Sequence, residues 1–129
     1  MQQLQSVDYF FAFYEFFYIF VIINIFIAMF EEFLGKQVII RSNDAGVFVG
    51  TLEEVDTTAN GLSVVRLSKA RNIWVWEGAS CIMQVAEQGI RAGKVSQEVA
   101  SIVILGVCQI LLLKEVAQLS LNRIPAWIL

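Results

Sequence analysis

The sequence predicts an α+β protein: one N-terminal hydrophobic, transmembrane-like α-helix followed by a small β-rich, barrel-like domain with two short helices. Three observations carry that reading. Residues 9–30 form an apolar run of 22 residues broken only by Glu15 and Asn24, and nine of the ten Phe and all three Tyr lie within the first 33 residues. Past Gly35-Lys36 the apolar period shifts toward two, the spacing of strands. Turn chemistry recurs in that part, at Asn43-Asp44-Ala45-Gly46 and at Asn60-Gly61, a hairpin signal because both residues tolerate positive φ. The expected organisation is a Phe-rich helix in 1–35 and a domain in 36–129.

As an α-helix, residues 9–30 are about 33 Å long, close to the hydrocarbon thickness of a bilayer. A cleaved signal peptide has a basic start, a shorter apolar core and a small-residue cleavage site. Residues 1–8 hold no Lys or Arg, and the run leads into Glu31-Glu32-Phe33-Leu34-Gly35, so cleavage is not expected. The segment is apolar on every face, unlike the amphipathic helix of a soluble monomer. Its solvent is therefore a bilayer or the interior of an assembly.

Glu15 and Asn24 are nine positions apart, about 180° around a helix. Asp8, Glu15 and Ile22 share one face; Asn24, Ala28 and Glu31 share the other. An intramembrane carboxyl normally faces protein or water, so polar groups on opposite faces predict two neighbours per helix, as in a ring or filament. Glu15, Asn24, Ala28 and Glu31 are the candidate helix–helix assembly residues, and the expected partners are further copies of this chain and membrane lipid. The plainer alternative is a lone anchor with Glu15 near the headgroups or protonated. Phe in place of Leu suits aromatic packing between helices and is also acceptable to lipid.

Residues 1–35 carry four acids and no base, whereas residues 36–129 carry nine bases and eight acids. The first bases, Lys36 and Arg41, follow the apolar run and favour a cytoplasmic C-terminal domain for a membrane-embedded chain. No basic excess is visible, and no nucleic-acid partner is expected. The chain has no His, which removes Ser-His and Cys-His catalysis and His-ligated metal sites. Cys81 and Cys108 both sit in apolar sequence and read as buried free thiols of a reducing compartment, with a disulfide possible from the count alone. No phosphate-binding Gly loop, metal-ligand cluster or catalytic constellation is present. No cofactor and no enzymatic activity are expected.

Within 36–129 the expected strands are Gln37–Ser42, Val47–Val55, Leu62–Leu67 and Arg71–Glu77. Phe48, Gly50 and Leu52 share one face of the second; Val47, Val49 and Thr51 share the other. In the fourth, Trp74 and Trp76 alternate with Ile73 and Val75 and so point the same way. They are a possible aromatic contact face, helped by Lys69 and Arg71, or else a core face over the gap left by Gly50. Ala79–Gln88 reads as a short helix with Ala79, Ile82, Met83 and Ala86 as its apolar stripe and Gly89 at its C-cap. Cys81 lies near its start, where the dipole lowers a thiol pKa. Val99–Leu113 reads as one long bent strand or two buried strands, with a second membrane helix as the alternative. Lys114–Asn122 reads as a final helix stopped before Pro125, with Trp127 packing back.

Residues 36–129 resemble a small family of domains of unknown function encoded by bacteriophages and prophages. The residues that carry the resemblance are Ala45-Gly46-Val47 with Gly50 and Leu52, Ala70-Arg71 followed by Trp74 and Trp76, and Gly78-Ala79. Ala86, Gly89, Ala117 and Trp127 continue it. The Phe-rich helix is a departure from the family pattern, as is Gln109, where several members carry an acid. The resemblance implies a viral origin and no activity.

Two kinds of function fit. The first is a non-enzymatic, self-assembling structural protein, membrane-anchored or virion-associated, whose helices pack together while the β-rich domains form a shell. The second is a pore-forming or membrane-perturbing oligomer with Glu15 or Asn24 lining a pathway. A membrane-anchored binding module is a further alternative.

Overall fold

The computed structural model describes the backbone of residues 2–57 and 63–128, and within these the side chains of all but residues 2–8, 26, 27 and 57. The Asn60-Gly61 hairpin signal lies outside the described residues. The chain divides into two compact units, Met1–Glu32 and Phe33–Leu129. The division falls slightly before the expected Gly35. Phe33 packs against a core cluster of the second unit, and the Gly35 N–H donates to the Leu52 carbonyl at 2.8 Å.

The first unit is a single helix, α1 (Gln2–Glu31). No Gly or Pro interrupts it. The chain leaves it through a turn in which Gly35 sits at φ +76°, a left-handed position that suits glycine after a helix.

The second unit is a six-stranded antiparallel sheet with two helices. Its elements are β1 (Gln37–Ser42), β2 (Gly46–Thr57), β3 (Ser63–Glu77), α2 (Ile82–Gln88), β4 (Ala92–Val95), β5 (Val99–Leu105), β6 (Val107–Leu112) and α3 (Glu115–Arg123). The hydrogen-bonded order is β4-β3-β2-β1-β6, with β5 also beside β3. The sheet is not closed, so the expected barrel-like form is corrected to an open sheet. β5 and β6 follow one another through Gly106 at φ +66°. One continuous segment thereby runs along β3 and then, past the bend, along β1.

Alternation along the strands feeds two cores. Val38, Ile40, Phe48, Leu52, Val65, Leu67, Ala70 and Ile104 form one, inside the bend. Ile39, Val49 and Ile73 point to the other, where Val85 and Ala86 of α2, Val95 of β4, and Ala117 and Leu121 of α3 cover them. The two expected faces of β2 are thus the walls of separate cores.

Several expectations need correction. The expected third and fourth strands are one strand, β3. Lys69 and Ala70 do not break it, because the ladder with β2 resumes on both sides, at Thr51↔Ser68 and Val49↔Arg71. Gly50 alone opposes those two residues, a β-bulge in which Lys69 takes φ +51°. The first helix begins later than expected, at Ile82. Its buried face is Ile82, Val85, Ala86 and Gly89, an i, i+3, i+4, i+7 set, and Met83 falls outside that set and is exposed. Residues 99–113 hold two strands and no helix, and their outer side chains are exposed. The short β4, Ala-Gly-Lys-Val, has no alternation by which to be recognised. Both cysteines are free and exposed: Cys81 precedes α2 as its N-cap residue, and β6 turns Cys108 away from the cores.

The bulge generates a pair of predictions of opposite sign. A Cβ on Gly50 would meet the Ser68 carbonyl oxygen at 3.0 Å and the Ala70 Cα at 3.1 Å, and backbone cannot move aside as a side chain can. Gly50→Ala is expected to destabilise the domain by about 1–3 kcal/mol. Lys69→Gly removes the left-handed strain of a side-chain-bearing residue and is expected to stabilise it by about 1 kcal/mol. Urea unfolding midpoints of the full chain in detergent, followed by Trp fluorescence, check both signs.

Candidate functional site

On α1, Glu15, Asn24, Ala28 and Glu31 are all exposed. Asn24 Nδ2 donates to the Phe20 carbonyl at 2.8 Å, so part of its hydrogen-bonding demand is met within the helix. No such bond is present for Glu15 among the described residues. The rings of Tyr9, Phe10, Phe11, Phe13, Phe16 and Phe20 are exposed around the whole circumference. Tyr9–Glu31 is long and apolar enough to cross a membrane by length and composition, a description that a signal sequence or the core helix of a soluble protein also meets.

In the domain, a register shift separates the two strand tryptophans. Ile73 opposes Val95 and Val75 opposes Lys94, two steps of β3 against one of β4. Trp76, opposite Gly93, therefore returns to the Ile73 side and packs against the helix-covered core. The expected common face is corrected accordingly. Trp74 stays 47% exposed and lines an open cavity of about 460 Å³ with Ser96, Gln97, Trp127 and Ile128. Trp127 does pack back: its backbone N–H donates to the Val95 carbonyl at 2.9 Å, and the Lys94 ammonium lies 4.7 Å from its ring centroid. The aromatic pair at this surface is Trp74 with Trp127, a partnership that alternation within one strand cannot reveal.

Gln97 also lines a neighbouring cleft of about 550 Å³, walled by Gln37, Lys69, Arg71, Glu98 and Asn122. Arg71 is the organising side chain. Its Nε donates to the Ser96 carbonyl at 2.9 Å, Nη1 to Leu121 at 3.1 Å and Nη2 to Ile124 at 2.7 Å. One planar fork thus ties β3 to the loop after β4 and to the end of α3, where the Leu121 carbonyl also accepts from the Ile124 N–H at 3.2 Å. Burial pushes the Arg71 pKa down, while nearby Glu98 raises it. The Cys81 thiol is held below its usual pKa, chiefly by the Gln84 backbone N–H and then by Ser80, the direction expected for a helix start. Among the described residues no group of three or more Cys, Asp or Glu is placed to hold a metal ion. Gln109, opposite Arg41, keeps a buried Oε1 without a hydrogen-bond partner.

Residues 35–121 match a family described as "Domain of unknown function (DUF6948)". The chain belongs to this family. The match lies within the sheet-and-helix unit of the DUF6948 domain and takes in Gly50, Lys69, Arg71, Trp74 and Trp76; α1 and Trp127 lie outside it. The family description carries neither an activity nor a phage origin. No curated protein and no solved structure matches the chain.

The Arg71 fork gives a test of what builds this surface. Arg71→Lys keeps the charge but cannot reach three carbonyls in one plane. The expected cost is about 1–2 kcal/mol, the low end for hydrogen bonds to a charged group because the guanidinium is partly solvent-screened. The check is the urea midpoint, together with earlier hydrogen exchange in α3 than in β1.

Proposed function

We propose that this chain is a non-enzymatic, self-assembling structural protein whose α1 helices pack together, within lipid or within the assembly itself, while the DUF6948 domains form the outer layer. The observation that carries this reading is the exposure, on all sides, of the described side chains between Tyr9 and Met29 on a helix with no polar face. A helix apolar on every side needs an apolar surround. Glu15, with no partner of its own in the helix, adds the demand for a neighbouring chain. The lack of His throughout the sequence weighs against an anchored hydrolase. Lys36 and Arg41, the first bases after α1, support a cytoplasmic side for the domain of a membrane-inserted chain. A phage origin rests on the motif resemblance alone and belongs to this proposal.

Substituting the two polar residues of α1 tests the helix-assembly reading. Glu15→Leu is expected to lower the particle mass in detergent at least several-fold. Asn24→Leu is expected to have the smaller effect, since Asn24 is already bonded to Phe20. Light scattering of the purified full chain reads the mass, and an unchanged particle for both variants would sink the reading. Dye release from liposomes separates the structural role from a pore: rapid leakage at low protein-to-lipid ratio favours the pore.

A further inference from the structure

The surface most in need of an explanation lies on the domain, along β5. This strand pairs with β3 through six residue pairs between Val99 and Leu105. Its other side has no ladder partner among the described strands. The edge at β4 is managed differently. There Ala126 bridges to Val95, the Trp127 backbone N–H bonds the Val95 carbonyl, and Lys94 lies over the Trp127 ring. The chain covers that edge with its own C-terminal segment and a lysine, two usual devices against strand addition. β5 has neither. Residues 99–112 contain no charged residue and no proline. The outward side chains of β5 are Val99, Val103 and Leu105, exposed by 41%, 56% and 64%, with the small Ser101 among them.

We propose that the open edge of β5 pairs antiparallel with β5 of a second copy of this chain, about a two-fold axis at Ile102. The strand is self-complementary in that register. Val99 comes opposite Leu105 of the second copy, and Ser101 opposite its Val103, so each outward apolar residue meets an apolar or small neutral neighbour. A two-fold arrangement requires this property, because both copies present the same surface. The Leu105 carbonyl already accepts from Ser42 Oγ at 2.8 Å; pairing satisfies the N–H and C=O groups that remain free on both edges and covers the outward Val and Leu side chains. The absence of charge favours a like strand over a charged peptide, which would lay carboxylates or ammonium groups against Val103 and Leu105. The contact uses no residue of α1, so it stands or falls apart from the helix-assembly reading.

Directed cross-linking of the full chain in phosphatidylcholine vesicles tests this. In a background with Cys81→Ser and Cys108→Ser, Ser101→Cys and Val103→Cys are prepared separately and mixed before mild oxidation. Directly opposed residues lie within disulfide reach, whereas 101 against 101 is displaced by two residues. The mixture is therefore expected to give at least about threefold more disulfide dimer than either variant alone. Adding Leu105→Lys to both variants is expected to return the yield to that of the single variants. A mixture no better than the single variants would overturn the proposal, whether they cross-link equally or not at all, and would leave the edge to some other partner or to solvent. Urea midpoints within error of the cysteine-free parent confirm that each variant is folded when the yield is read. Glu15→Leu in the same background separates the two readings: it leaves the 101–103 cross-link intact even where it reduces the particle mass.

Discussion

Everything in the domain depends on β1 being buried on both faces. Val38, Ile39 and Ile40 have no exposed surface, and successive residues feed opposite cores. A strand in that position must have a hydrogen-bonded neighbour on each side and a cover on each face, or its backbone and its side chains are left unsatisfied. β2 and β6 supply the neighbours. α2 and α3 cover one face, and the bend of the 99–112 segment brings Ile104 over the other. Ser42 fixes where that bend occurs. It is the buried polar residue at the end of β1, its Oγ donates to the Leu105 carbonyl at 2.8 Å, and it accepts from the Ala45 N–H at 3.3 Å. The same hydroxyl closes the β1–β2 turn and anchors the chain immediately before Gly106.

The bulges then explain what the strands display. At Gly50 the extra residue in β3 keeps the ladder continuous while Arg71 reaches the carbonyls of α3. At Trp74 a second shift divides the tryptophans between core and surface. Each bulge changes the parity of β3, and parity decides which side chain meets a core. The surface cleft around Arg71 and the aromatic cavity beside it are therefore products of two single-residue insertions in one fifteen-residue strand.

Most of this fold was legible where the signal is local. β1, the two faces of β2 and the final helix follow from alternation, turn residues and the stop before Pro125. Alternation does not show parity beyond a bulge, so by itself it puts Trp74 and Trp76 on one face and divides β3 at Lys69. Nor does a period of two reveal whether an apolar strand is central or at an edge. Val103 and Leu105 read as buried, yet they lie on the outer side of an edge strand. The cysteines misled for the same reason, since apolar neighbours in sequence do not fix the direction of one side chain. Of the residues proposed for function, those on α1 are assigned to faces by helical spacing alone; the Trp74–Trp127 surface joins positions 53 residues apart and no local pattern links them.

Magnitudes decide how Glu15 should be understood. Among the described residues, fourteen large apolar side chains between Tyr9 and Met29 are exposed on the helix. At about 1.5–3 kcal/mol for each fully covered side chain, their transfer out of water is favourable by on the order of tens of kcal/mol, an upper figure because the unfolded chain already hides part of that surface. One ionisable residue at the centre of a span costs about 3 kcal/mol on insertion scales. Glu15 therefore cannot keep α1 in water. Its leverage lies among the apolar states: a lone helix leaves the carboxyl facing lipid, and a neighbouring chain relieves it. On the proposed assembly reading, the Phe and Tyr rings supply the drive out of water, and the Glu15 carboxyl, small beside them, favours a neighbouring chain over isolation.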